Sequence, residues 1–168
     1  GHKIFLNSQI LMKNKPIVLY TEHSMSKTIC YYFAKGSNSL MCPIERFKSY
    51  DRTIATYGFK RGTADVLKKV KNFYYIDHGY FNQSKRKFEN KNTTIFDLDG
   101  YFRIAYNNFW HDGSGNKPSD RLKKLDICFK NLKKNGEFII ISEPSPASVS
   151  FFKLNNWLDD TRKKIKKF

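Results

Sequence analysis

The sequence has few cysteines and no long apolar run, and each shortage excludes a class of protein. Its three cysteines, Cys30, Cys42 and Cys128, are widely spaced and form no Cys-x-x-Cys pair, which argues against a disulfide framework or a zinc site. Because Cys30 and Cys128 lie among apolar neighbours, we expect both to be buried thiols in a reducing compartment. No apolar run approaches the ~20 residues of a membrane span, so we expect a cytoplasmic protein without a membrane partner.

Acidic residues are also scarce, which leaves the chain strongly basic. Lys and Arg number 31 against 15 Asp and Glu, giving the 168-residue chain a formal charge of +16. Such a surplus is self-repulsive, and a polyanionic partner such as DNA or a nucleotide would balance it. A lysine-rich composition encoded by an AT-rich genome is the other explanation, and both stay open. The 40% hydrophobic content fits one globular domain over residues 1–168, with residues 1–15 as a peripheral N-terminal segment.

Short apolar runs alternate with amphipathic segments, a pattern typical of βαβ units around a parallel sheet. The predicted strands are 16–21, 39–43, 52–57, 73–77 and 137–142, and the predicted helices are 25–35, 64–71, 147–152 and 154–167. We interpret 82–92 as a loop. Residues 93–106 have strand character around an Asp-Gly turn, which predicts a hairpin excursion there. The prediction is an α/β, Rossmann-like three-layer domain with a mainly parallel sheet.

Ligands of parallel sheets bind beyond the carboxyl ends of the strands, and four segments are predicted to meet there. They are 21–24, 58–63, 77–81 and 142–148. The glycine-bounded segment 58–63 would let the backbone approach an anion, with Thr63 capping the next helix. A plain strand-to-helix turn with solvated charges is the alternative. The predicted ligand- or phosphate-binding residues are Gly58, Lys60, Arg61, Gly62, Thr63, Gly79, Ser142 and Ser145.

His78 is the candidate catalytic residue because histidine titrates near neutrality and closes a predicted strand here. Asp77 is the second candidate, although neighbouring strand residues point to opposite faces, which disfavours a direct pair. A polar strand end is the alternative interpretation. His23 follows the first strand and is placed to contact a ligand. Asp97 and Asp99 fit an Asp-Gly turn better than a metal site, so no metal is predicted.

Several motifs in this order resemble the amino-terminal, acceptor-side half of two-domain, Rossmann-type (GT-B-like) glycosyltransferase-like proteins of phages and bacteria. They are Tyr57-Gly58, the sequence YIDHGYF at 75–81, GYFRI at 100–104, Ser119–Arg121, the apolar run and Pro/Ser turn at 139–146, and the Trp-bearing basic segment 157–167. The resemblance implies that Asp77, His78 and Gly79 line an interdomain cleft with Tyr101 and Arg103 near it.

The resemblance also implies a transferase that uses a nucleotide-sugar donor, located in the host cytoplasm if phage-encoded. By the resemblance the carboxyl half binds the nucleotide-sugar, so we expect a missing carboxyl-terminal domain or a homo-oligomer as partner. Two other hypotheses stay open: a non-enzymatic basic nucleic-acid-binding protein, and a small-molecule enzyme acting on a nucleotide or nucleoside-derived metabolite. The transferase hypothesis places phosphate beside Lys60 and Arg61, and the small-molecule enzyme would use the same cleft. The nucleic-acid-binding hypothesis needs only the positive face and not a shaped loop at 58–63.

Overall fold

The structure of the protein is a computed structural model. It describes residues 15–81, 83, 86–88, 94–96, 100–110, 123–128, 130–131, 136 and 138–166. The chain divides into two compact units, residues 1–117 and 118–168. The predicted peripheral segment lies almost wholly outside the described residues, which begin at Lys15.

A five-stranded sheet organises the first unit. Its strands are β1 Ile17–Tyr20, β2 Met41–Pro43, β3 Ile54–Tyr57, β4 Phe73–His78 and β7 Phe102–Tyr106. The spatial order is β2-β1-β3-β4-β7, in which the first four strands are parallel and β7 runs antiparallel to β4. The helices of this unit are α1 Ser24–Ser37 and α2 Thr63–Leu67, and a 3-10 turn covers Ile44–Arg46.

Helices pack on both faces of the sheet because β1, β3 and β4 bury apolar side chains on both sides. On one face, α1 packs Met25 and Ile29 against Val18, Ala55 and Ile76. The opposite face buries a second cluster, composed of Leu19, Ile44, Phe47, Ile54, Val66, Leu67, Val70 and Tyr75. Each large apolar side chain buried in this way contributes about 1.5–3 kcal/mol. The predicted α/β fold with a mainly parallel sheet and three layers is confirmed.

The excursion from the sheet lies slightly earlier in the chain than predicted. Strands β5 Arg86–Phe88 and β6 Thr94–Phe96 pair antiparallel in a separate two-stranded sheet. The predicted loop 82–92 therefore contains a strand. Residues 102–106 do not pair with β6 but return to the main sheet as β7, with Phe102 opposite His78 and Tyr106 opposite Tyr74. Asp97 and Asp99 lie outside the described residues.

In the described part of the second unit, residues 146–166 form the helices α3 Pro146–Phe152 and α4 Trp157–Ile165. The helix predicted at 147–152 is confirmed, whereas α4 begins three residues later than predicted. Lys153 ends α3 in the left-handed conformation with φ 55°, and the chain needs residues 154–156 to start a new helix.

The strand predicted at 137–142 is wrong. Residues 138–142 have no regular secondary structure, and Phe138 and Ile140 are 84% and 91% exposed. An apolar, β-branched run becomes a strand only where a sheet edge satisfies its backbone groups, and the structure gives residues 138–142 no strand partner.

Cys128 is exposed, so the expectation that it is buried is also wrong. Across the parts of the chain that the structure describes, no helix has the length and apolar character to cross a membrane.

Candidate functional site

A cleft of about 390 Å³ lies beyond the carboxyl ends of β1, β3 and β4. β1 is followed in the chain by β2 on one side, whereas β3 and β4 lie on the other, so the connections diverge at this point. Such a topological switch point is where open α/β sheets bind ligands. The cleft is lined by Thr21, His23, Met25, Ser26, Tyr57, Gly58, Phe59, Lys60, Arg61, Tyr75, Asp77 and His78.

The amino-terminal end of α1 forms one wall of this cleft. The backbone N–H of Thr21 donates to Ser26 Oγ at 3.0 Å, which draws the end of β1 against the first helical turn. His23 is the N-cap residue, but its side chain does not cap the helix, and the first turn has no acidic residue. The first N–H groups of a helix have no intrahelical acceptor, and their dipoles give this end positive character. This wall therefore favours an anion.

The loop after β3 carries two cations to the opposite wall. Within the loop 58–62, Gly58 and Gly62 have φ of +68° and +85°, and Arg61 has φ of +57°. Three of the five loop residues therefore turn the chain through the left-handed region. Glycine adopts that region at little cost. The predicted residues Gly58, Lys60 and Arg61 all line the cleft.

Gly62 and Thr63 support this loop and are not among the cleft-lining residues. Thr63 is fully buried and donates its hydroxyl hydrogen to the Lys60 carbonyl oxygen at 2.5 Å. Thr63 is the first residue of α2, so the N-cap position before it belongs to Gly62, whose backbone is left-handed. The prediction that Thr63 caps α2 is wrong. With only five residues, α2 adds no anion site, and the helix that faces the cleft is α1.

His78 lies in the cleft beside a tyrosine that sequence reasoning missed. Tyr57 Oη is 3.0 Å from His78 Nε2 and donates to Met25 Sδ at 2.8 Å. The edge of the Tyr57 ring meets the imidazole, and Phe102 stacks on it with centroids 5.5 Å apart. Because the Tyr57 hydroxyl donates its one hydrogen to Met25 Sδ, its oxygen accepts a hydrogen bond from His78 Nε2–H. These contacts hold the imidazole ring in place at the cleft.

Asp77 belongs to a different network, on the other face of β4. Its Oδ2 accepts from Arg103 NH2 at 2.9 Å and from the Tyr75 hydroxyl at 3.2 Å. Its Oδ1 accepts from the backbone N–H of His78 at 2.8 Å. Burial, together with the Asp77 carboxylate, raises the pKa of Tyr75, so its hydroxyl remains a neutral donor to that carboxylate. Asp77 thus positions the Arg103 side chain and the backbone at the end of β4.

Gly79 and Tyr101 close the end of this strand pair. The backbone N–H of Gly79 donates to the Tyr101 carbonyl oxygen at 2.7 Å. A Cβ at Gly79 would lie only 2.9 Å from that oxygen. Close packing of the backbone therefore explains why a glycine stands at position 79. Gly79 and Tyr101 are not among the residues that line the cleft. His23 and Asp77 do line it, and Arg103 reaches it through Asp77.

Ser142 and Ser145 lie in the second unit. Ser145 caps α3, and its Oγ accepts from the backbone N–H of Ser148 at 3.2 Å. Its hydroxyl thus has a structural role. Three of the four predicted segments contribute to the cleft, and 142–148 belongs to a different compact unit.

The cleft residues not singled out from the sequence are Thr21, Met25, Ser26, Tyr57, Phe59 and Tyr75. Tyr57 was detectable in principle, because it stands at the end of a predicted strand directly before Gly58.

Among the residues with described side chains, no group of three or more His, Cys, Asp or Glu is arranged to hold a metal ion. Comparison with protein-family models, curated proteins and solved structures gives no match.

Proposed function

We propose that the cleft binds a phosphorylated small molecule, with the phosphate between the start of α1 and the side chains of Lys60 and Arg61. The observation that carries the proposal is the meeting of these three positive features in one cleft at the switch point of the sheet. Backbone N–H groups at a helix start fit phosphate oxygens, and arginine can bind them in a bidentate manner. Among the described residues that line the cleft, Asp77 is the one with an acidic side chain, and it forms an ion pair with Arg103.

The test is calorimetric titration with inorganic pyrophosphate, comparing the native chain with Lys60→Met. Loss of one cation from the cleft weakens binding by about tenfold, the effect of losing one charged hydrogen bond. Lys48→Met is the matched control, because Lys48 is exposed, does not line the cleft and changes the net charge equally. If the two variants weaken binding equally, only the overall charge attracts the anion, and the proposed site is rejected.

We extend the proposal to group transfer from a nucleotide-sugar. The glycosyltransferase resemblance supports the reaction class but implies that this half binds the acceptor, whereas the positive cleft beside His78 supports binding of the donor diphosphate here. His78 takes the proton of an acceptor hydroxyl, whose oxygen forms a bond to the anomeric carbon of the sugar. The bond from that carbon to the diphosphate breaks, and the nucleoside diphosphate leaves with its charge beside α1. Mass spectrometry of mixtures of sugar nucleotides and candidate acceptors tests this step. His78→Gln should abolish transfer while pyrophosphate still binds, and transfer at the native rate removes His78 from the mechanism.

A second candidate, nucleic-acid binding, is favoured by the end of α4. Arg162, Lys163, Lys164 and Lys166 are all exposed there. Such a cluster attracts phosphates without reading a sequence, and its binding weakens steeply with salt. Titration of labelled duplex DNA at several salt concentrations tests it. Binding that is absent at low salt rejects this candidate and leaves the cleft proposal intact.

A further inference from the structure

Two large aromatic side chains stand exposed beside the cleft, held by a nearly buried arginine. Tyr80 and Trp110 are 57% and 52% exposed, and we call the pair the aromatic rim. The Arg103 guanidinium carbon lies 5.1 Å from the Tyr80 ring centroid and 5.2 Å from that of Trp110. The Arg103 side chain is only 10% exposed, and it forms the ion pair with Asp77 in the cleft. Arg103 therefore links the aromatic rim to Asp77, which lines the cleft.

Hydrogen bonds hold the rim in position. Asn108 Oδ1 accepts from the backbone N–H groups of Phe109 at 2.7 Å and Trp110 at 3.3 Å, which fixes the turn that follows β7. Arg103 donates to the Phe109 carbonyl oxygen at 2.5 Å and to the Tyr80 hydroxyl at 3.4 Å. Rings held in this way lose little conformational entropy when a ligand binds them. Exposed aromatic rings with an adjacent guanidinium are typical of sites that stack nucleobases.

The spacing between cleft and rim fits one extended ligand. The phosphate position proposed above lies over β1 and β3, whereas Arg103 belongs to β7 at the edge of the sheet. The Arg103 guanidinium, however, reaches Asp77 on β4, and β1 and β4 are two strand positions apart, about 10 Å at the usual spacing of neighbouring strands. A molecule with a phosphate at one end and a flat heterocycle at the other can span this distance.

We propose that the aromatic rim stacks the base of a nucleotide whose phosphate occupies the cleft. This inference rests on the proposed phosphate site and adds the chemical class of the rest of the ligand. The base packs on the exposed Trp110 and Tyr80 rings, and Arg103 reinforces the stack through its charge. Stacking on an aromatic side chain tolerates any base, so the rim selects nucleotides over simple phosphates without choosing among them.

The test uses the fluorescence of Trp110, which becomes the sole tryptophan in a Trp157→Phe background because the chain has two. The probes are AMP, ribose 5-phosphate and inorganic phosphate. We expect AMP to bind about tenfold more tightly than ribose 5-phosphate, the equivalent of 1.4 kcal/mol from one stacked base. AMP should quench Trp110, whereas ribose 5-phosphate should bind without quenching it.

Variants at the rim separate stacking from folding. In the chain that retains Trp157, Trp110→Leu keeps an apolar side chain but removes the ring face, so calorimetry should show AMP affinity falling to that of ribose 5-phosphate. Trp110→Phe should keep part of the difference. Tyr31→Leu is the matched control, since Tyr31 is 50% exposed on α1 and does not line the cleft.

The outcomes distinguish the two proposals. Equal affinities for AMP and ribose 5-phosphate overturn base stacking while leaving the phosphate site in place. Quenching of Trp110 by ribose 5-phosphate as strong as by AMP also overturns it, because a sugar would then occupy the rim. A chain that binds none of the three probes rejects the phosphate site and, with it, the inference.

Discussion

Asp77 and Arg103 face each other directly across β4 and β7, and their side chains form an ion pair of 2.9 Å. The same guanidinium donates through Nε to the His78 carbonyl oxygen at 3.2 Å. One residue of the antiparallel edge strand thus holds both members of the Asp77-His78 pair at the cleft. The pairing of β7 with β4 therefore fixes both the Asp77 side chain and the His78 backbone in position.

Replacement of Arg103 by methionine should destabilise the first unit. The apolar stem is retained, but the Asp77 carboxylate, 28% exposed on its side chain, loses its charged partner. We expect a loss of about 2 kcal/mol in the free energy of unfolding, measured by urea denaturation. Arg162→Met is the control, because Arg162 and Asp159 form a 3.8 Å pair that is exposed to solvent. Equal losses in both variants would contradict the role given to Arg103.

Two glycines should respond in opposite directions to a methyl group. Gly79→Ala places a Cβ 2.9 Å from the Tyr101 carbonyl oxygen, so the strand ends must move apart and the melting temperature should fall. Gly36→Ala meets no atom within 4 Å and lies in α1, where alanine is favoured over glycine by about 0.5–1 kcal/mol. Thermal denaturation of both variants checks the prediction, and a rise for Gly79→Ala would refute it.

Two fully buried threonines should also respond differently to the same change. Thr56 Oγ1 has no hydrogen-bond partner within the described part of the chain, so Thr56→Val should stabilise the fold by up to about 1 kcal/mol. Thr63 donates to the Lys60 carbonyl oxygen, and Thr63→Val should cost about 1–2 kcal/mol. Denaturant titration gives both values. Destabilisation of similar size in the two variants would show that the Thr56 hydroxyl has a partner after all.

Alkaline pH should remove stability that depends on Cys30. Burial raises the pKa of this thiol from 9.0 to about 11, so the folded chain favours the protonated form. That stability is complete below the unfolded pKa and is lost as pH rises from 9 to 11, by at most about 1.4 kcal/mol per pH unit. Cys30→Ala should show a smaller loss of unfolding free energy over this window. Equal pH profiles for the native chain and this variant would contradict the assignment.

The parallel core could be predicted from the sequence because β1, β3 and β4 are buried on both faces and read as continuous apolar runs. The run at 139–141 has the same character but forms no strand, since the backbone pairing that a strand needs is a property of the whole fold and not of the run. His78, Lys60 and Arg61 were found because they follow strand ends. Tyr57 stands at the end of a predicted strand and could have been found in the same way. Arg103 was placed near the cleft by the resemblance alone, because its contact with Asp77 depends on the return of β7, which leaves no local signal in the sequence.

The edge position of β7 has a consequence for the order in which the protein assembles. All four parallel strands are complete by His78, whereas β7 begins only at Phe102. During synthesis the parallel strands therefore emerge before β7 does. A nascent chain can therefore build the parallel sheet before Arg103 reaches Asp77. The cleft acquires its final charge balance only when β7 docks, so we expect the proposed ligand binding only after this strand is in place.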